Sequence, residues 1–183
     1  MVNTHAPSSP TTPSNRGAAA GMDFSTALAA FQKGDGKQAM AICQQLVASN
    51  PNAFDPVHLL GVLAYQAADY AQASTLLQRA IALKPNSSQA SNNLALVCHA
   101  QGQYDEAIAW FAKAIAQDPH HAQAFCNRSL SLFEQRHYQQ AVADCETAIA
   151  LQPDFAAAYS NRANALLRLN RHAEAISDLE RAI

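Results

Sequence analysis

The same residue types return every 34 positions along this chain. Prolines fall at Pro51, Pro85, Pro119 and Pro153, and alanines at Ala39, Ala73, Ala107, Ala141 and Ala175. A third ladder runs through Leu46, Ala80, Ala114, Ala148 and Ala182. Three ladders sharing one period define an array of a single supersecondary unit, stacked so that neighbours bury what one unit cannot bury alone. Spacing within the unit gives its content. In the fourth copy, Phe125, Arg128, Ser129 and Leu132 lie at i, i+3, i+4 and i+7, one helical stripe. Ala141, Cys145, Ala148 and Ile149 form a second stripe, and the small Ser129, Ala141 and Ala148 let the two backbones approach. The break between the helices is predicted near Gly34, Ala68, Gly102, Arg136 and Asn170. Gly and Asn suit a left-handed helix end, whereas Ala and Arg do not, so less ideal turns are expected at Ala68 and Arg136. Each proline then stops the second helix.

Ladders of this type and period resemble the tetratricopeptide repeat family, and the run SNNLALVCHAQGQYDEAIAWFAKAIAQDP (91–119) follows the family pattern most closely. The resemblance covers residues 20–183. With the prolines at repeat position 32, the repeats are 20–53, 54–87, 88–121, 122–155 and 156–183. The first is degenerate, with Asp23 where an aromatic is usual and Gly36 where Tyr is usual, and the last stops inside its second helix. The implied fold is all-α, a right-handed superhelical solenoid of antiparallel helix pairs. Residues 1–19, rich in Ser, Thr, Pro and Asn, are predicted to form a disordered tail, because they bury too little apolar surface to offset ordering entropy.

Several function classes are disfavoured by composition. Charged residues make up 14% of the chain, with a formal net charge of -2 and no basic run, which is no footprint for nucleic acid or an anionic membrane. No stretch is long and apolar enough to span a bilayer, and the polar N-terminus lacks the apolar core of a signal peptide. Cys43, Cys98, Cys126 and Cys145 show no CxxC spacing, which points to reduced thiols in a cytoplasmic protein rather than a disulfide framework or zinc site. Cys43 and Cys145 read as small core residues. His58 and His99 are scattered over neighbouring helices, so neither a metal nor a cofactor is expected. No GxSxG, HExxH, Walker-type or GxGxxG run is present, and the chain is read as a non-enzyme.

The first helix of each repeat carries a further stripe that the family resemblance places in a concave groove for an extended peptide. It comprises Gln89, Asn92, Asn93, Leu96 and His99 in repeat three, and Gln123, Cys126, Asn127, Leu130, Phe133 and Glu134 in repeat four. Repeat five supplies Ser160, Asn161, Asn164, Leu167 and Arg168. Asn93, Asn127 and Asn161 recur at repeat position 6, and an amide offers donors and an acceptor together, suited to a peptide backbone. This row resembles the asparagine ladder of O-linked N-acetylglucosamine transferase repeat arrays. Hydrogen bonding between repeats is the competing role for the same amides. The charged clamp with which some relatives hold acidic C-termini is missing: position 2 reads Gly21, Asp55, Gln89, Gln123 and Ala157, and position 6 has no Arg.

One covariation reads as structure. Arg128 and Arg162 at position 7 occur only where Asp144 and Asp178 follow 16 residues later; repeats two and three have Leu60 with Leu76 and Leu94 with Trp110. An inward guanidinium needs an anion, so each Arg is expected to pair with its Asp across the helix pair. The expected function is a scaffold that binds a protein or peptide partner. The alternative is the substrate-recruiting N-terminal region of a larger, glycosyltransferase-like enzyme continuing beyond residue 183. Self-association through the uncapped last helix is a further expectation.

Overall fold

A computed structural model describes residues 23–182, and in them the 34-residue unit is a helical hairpin. The described residues form ten α-helices and no strand. They are α1 (Phe24–Gln32), α2 (Gly36–Ser49), α3 (Phe54–Gln66), α4 (Tyr70–Leu83) and α5 (Ser88–Ala100). There follow α6 (Tyr104–Gln117), α7 (Ala122–Glu134), α8 (Tyr138–Leu151), α9 (Ala156–Arg168) and α10 (His172–Arg181). The predicted tail, residues 1–19, lies outside the described residues. Asp23 explains the departure of the first repeat from the common pattern. Its carboxylate accepts a hydrogen bond from the Thr26 backbone N–H at 3.0 Å and caps α1, which starts at Phe24.

Both kinds of break follow from backbone chemistry. Each C-cap before a proline is extended (Asn50, Lys84, Asp118 and Gln152, φ -138 to -142°), the conformation that a following proline ring imposes. The turns within the hairpins are all left-handed at one residue: Gly34, Ala68, Gly102, Arg136 and Asn170, with φ 57–80°. The next residue's N–H then reaches back five positions, as in Asp69 to the Ala64 carbonyl (2.9 Å) and His137 to that of Leu132 (2.8 Å). The less ideal turns expected at Ala68 and Arg136 are therefore not seen: their geometry matches that at Gly34 and Gly102. The flanking helices fix the turn, and a Cβ adds conformational energy there without changing its shape. In repeats two to four an aromatic pair closes the same corner: Tyr65 with Tyr70, His99 with Tyr104, and Phe133 with Tyr138, at centroid distances of 6.1, 5.3 and 5.3 Å.

The alanine ladder is the spine of the core. Ala39, Ala73, Ala107, Ala141 and Ala175 are at most 1% exposed. Gly61 shows how tight the approach is, since a Cβ there would lie 2.8 Å from Leu77 Cγ. The buried clusters cross repeat boundaries: Leu59, Leu60 and Leu63 of α3 pack with Ile42 and Cys43 of α2, and Ala163 and Leu166 of α9 pack with Val142 of α8. Each hairpin thus completes its neighbour. Successive first helices touch (α3 with α5, α5 with α7, α7 with α9), and among the described residues no comparable contact links successive second helices. Elements crowded on one side and spaced on the other curve the stack, with the first helices inside.

Candidate peptide groove

The inner surface is built from the faces of α3, α5, α7 and α9 turned away from their second helices. The structure divides the stripe read from the sequence into two parts. Gln89, Gln123, Leu130 and Asn164 are exposed, and Asn93, Leu96 and Asn161 are partly exposed. Asn92 and Asn127, by contrast, are buried at 5% and 7%, and Cys126 at 1%, because the next first helix covers position 5 and the edge of position 6. The stripe is therefore part groove and part interface.

The asparagine ladder follows a rule that sequence spacing did not supply. Each ladder amide contacts the residue 35 positions earlier, at position 5 of the preceding repeat. Asn93 Nδ2 lies 2.9 Å from His58 Nε2, and Asn127 Nδ2 donates to Asn92 Oδ1 at 3.1 Å. Asn161 Nδ2 reaches the Cys126 carbonyl and Sγ at 3.4 and 3.3 Å. Gln123 Nε2 also donates to Asn127 Oδ1 (2.9 Å), and Asn92 Nδ2 to Asn93 Oδ1 (3.3 Å). The result is a polar seam along the inner surface that ties repeats two to five together. His58 stacks on Phe54 at 5.4 Å, and burial pushes its imidazole below the usual range, so it stays neutral while paired with Asn93. His99 Nδ1 lies 2.9 Å from Ser131 Oγ, and burial lowers its pKa too.

At the end of the groove formed by α7 and α9 the seam opens into a cavity of ≈ 170 Å³. Ser129, Leu130, Phe133, Glu134, Asn161 and Asn164 line it. Leu130 is 37% exposed and Leu167, also on the inner surface, 42%. Arg168 lies over the Phe133 ring, 5.7 Å from its centroid.

On the hairpin interior, Arg128 meets Asp144 through two bonds of 2.7 Å, and Arg162 meets Asp178 through bonds of 2.7 and 2.6 Å. Leu60 with Leu76, and Leu94 with Trp110, hold the corresponding places in the apolar clusters of repeats two and three. One contact between the helices of a hairpin is thus apolar in two repeats and ionic in two. The four cysteines are free and buried, and desolvation pushes their thiols to about 11 (Cys43, Cys98, Cys126) or about 12 (Cys145), far from thiolate reactivity. Among the described residues no group of His, Cys, Asp or Glu is placed to hold a metal ion, and no helix is long and apolar enough to cross a membrane.

Fold and surface together define a repeat solenoid of paired helices with a polar, amide-lined inner face. The chain belongs to the tetratricopeptide repeat family: residues 58–122 and 126–183 match one profile of that repeat and residues 23–53 another. No curated protein matches the sequence. Among solved structures, the chain superposes on MamA with a TM-score of 0.73 at 21% identity, over 85% of this chain and 91% of that one. A MamA from Desulfovibrio magneticus RS-1 gives 0.74 at 18%, over 86% and 89%. YrrB, a tetratricopeptide repeat protein described as having an unusual peptide-binding site, gives 0.67 at 15%, over 87% and 82%. At these identities the likeness is one of fold.

Proposed function

We propose that this protein is an interaction scaffold whose inner groove holds an extended segment of a partner protein. The observation that carries the reading is the groove surface itself. Gln89, Asn93, Leu96, Gln123, Leu130, Asn161 and Asn164 make it rich in amides, poor in charge, and open enough to hold a cavity between α7 and α9. Amides pair with backbone N–H and C=O without regard to sequence, and the exposed leucines add apolar contact. The peptide-binding site that gives YrrB its description, and the likeness of the asparagine positions to the repeat arrays of O-linked N-acetylglucosamine transferases, both support it. Neutral hydrogen bonds of roughly 0.5–1.5 kcal/mol each imply modest affinity with a shallow salt dependence.

The test is a titration of peptides selected from a randomised library against the wild type and a variant with Asn93, Asn127 and Asn161 all changed to Ala. The reading expects a loss of about tenfold or more, a little over 1.4 kcal/mol. The same amides tie the repeats together, so the variant is also expected to melt lower, and binding must be measured well below its transition. Equal affinities would confine the ladder to a structural role.

A further inference from the structure

The amides of the seam are not equivalent. Asn93 is held by His58, and Asn127 by Asn92 and Gln123. Asn161 makes only long contacts to Cys126 through its nitrogen, and its carbonyl oxygen accepts no hydrogen bond among the described residues. Asn164, exposed and one helical turn further along α9, makes no side-chain hydrogen bond among them. Both line the ≈ 170 Å³ cavity whose apolar wall is Leu130 and Phe133. Glu134 stands on the same wall and forms no ion pair among the described residues; Arg168 sits over the Phe133 ring instead.

Three kinds of unused capacity therefore meet in one place: two amides with acceptor capacity to spare, an apolar wall, and a carboxylate with no ion pair among the described residues. We propose that this cavity is the anchor of the groove. It seats one aliphatic or aromatic side chain of an extended peptide whose backbone pairs with Asn161 and Asn164, with a Lys or Arg beside the anchor facing Glu134. The proposal rests on the groove reading above and specifies its ligand. The geometry suits a peptide backbone: an extended residue turns its own N–H and C=O to the same side, and helical side chains at i and i+3 are roughly 5–6 Å apart, close enough to meet both. The anchor supplies affinity through burial. The exposed charge pair contributes little energy and sets the register instead, so salt dependence stays shallow.

The test uses the full chain and a randomised decapeptide phage library. The expected selection is one aliphatic or aromatic residue flanked by Lys or Arg. A selected peptide, synthesised and labelled for fluorescence anisotropy, should bind Leu130→Ala and Asn164→Ala about tenfold more weakly than wild type. Gln140→Ala on the outer helix α8 should match wild type. Glu134→Lys should shift the selected flanking residue from basic to acidic. Both Leu130 and Asn164 are exposed, so their alanine variants keep the fold, which circular dichroism verifies. Selected peptides without the apolar residue, or full binding by Leu130→Ala and Asn164→Ala, would overturn the anchor and leave the groove reading standing. A library that yields no binder to the wild-type chain would overturn both.

Discussion

Replacing Asp144 with Ala removes the anion that holds Arg128 between α7 and α8. The guanidinium donates through Nε and Nη2 to the two carboxylate oxygens, both at 2.7 Å. The Asp side chain is 9% exposed and the Arg side chain 22%. A fully buried pair loses about 3–5 kcal/mol when one partner is removed, and a surface pair at most about 1. Arg128 keeps a fifth of its surface and stacks over Phe125 at 5.7 Å, so it can rehydrate in part. The expected loss for Asp144→Ala is thus about 2–3 kcal/mol, between those limits. The chain supplies its own control, because repeat two has Leu60 and Leu76 at these two positions, packed in an apolar cluster. Arg128→Leu combined with Asp144→Leu should lie within about 1 kcal/mol of wild type, as apolar replacement of a whole buried pair usually does. Urea unfolding followed by far-ultraviolet circular dichroism measures all variants. Strict additivity of Arg128→Leu and Asp144→Leu, with a coupling below about 0.5 kcal/mol, would refute the argument.

Three further outcomes follow from the same structure. Ala68→Gly and Arg136→Gly should each stabilise by about 0.5–1 kcal/mol, the left-handed cost of a Cβ (about 1–2) less the unfolded-state entropy of Gly (about 0.4–1); a lower urea midpoint for both would contradict the turn assignment. Ala141→Leu should cost roughly 1–3 kcal/mol by overpacking a site that is 1% exposed, and an unchanged midpoint would show that the α7–α8 contact is misassigned. Burial depresses the His58 pKa below its ordinary 6.5, against Asp55, which raises it, and with Lys84, which lowers it further. The unfolded chain then takes up the proton first, so the stability His58 contributes is present above pH 6.5 and lost as pH falls through and below that value. His58→Gln, which retains a partner for Asn93, should flatten this acid limb of the melting profile, and an identical limb would exclude His58 as its source.

The hairpin, its turns and its core were legible because each rests on a residue type that few others can replace. Proline at position 32 forces an extended residue before it. Alanine at position 20 marks a contact too close for anything larger, and all five such alanines are buried. The turn positions were readable even at Ala68 and Arg136, where residue preference argued against them, because the period located them. What composition misjudged there was only the shape. The first repeat looked defective, but Asp23 acts as a helix cap. The Arg and Asp positions were visible as a covariation between repeats, and the structure shows why they change together: the two side chains meet each other across the helices of a hairpin.

The inner surface was harder to read, and the reason is geometric. Sequence period places Asn93, Asn127 and Asn161 in a row but says nothing of what lies beside the row. In the folded stack the helices are offset so that position 6 of one repeat meets position 5 of the one before, a separation of 35 rather than 34 residues. The partner at position 5 changes from His58 to Asn92 to Cys126, and with it the hydrogen-bonding capacity left to each amide. His58 and Asn92 are good partners and hold Asn93 and Asn127 at 2.9 and 3.1 Å; Cys126 is a poor one, and Asn161 remains largely free. The signal for where a ligand would anchor is thus Cys126, at a position that His58 and Asn92 fill in the two preceding repeats. By itself that residue reads as a buried thiol of no functional interest, and it gains meaning only from the amide stacked over it.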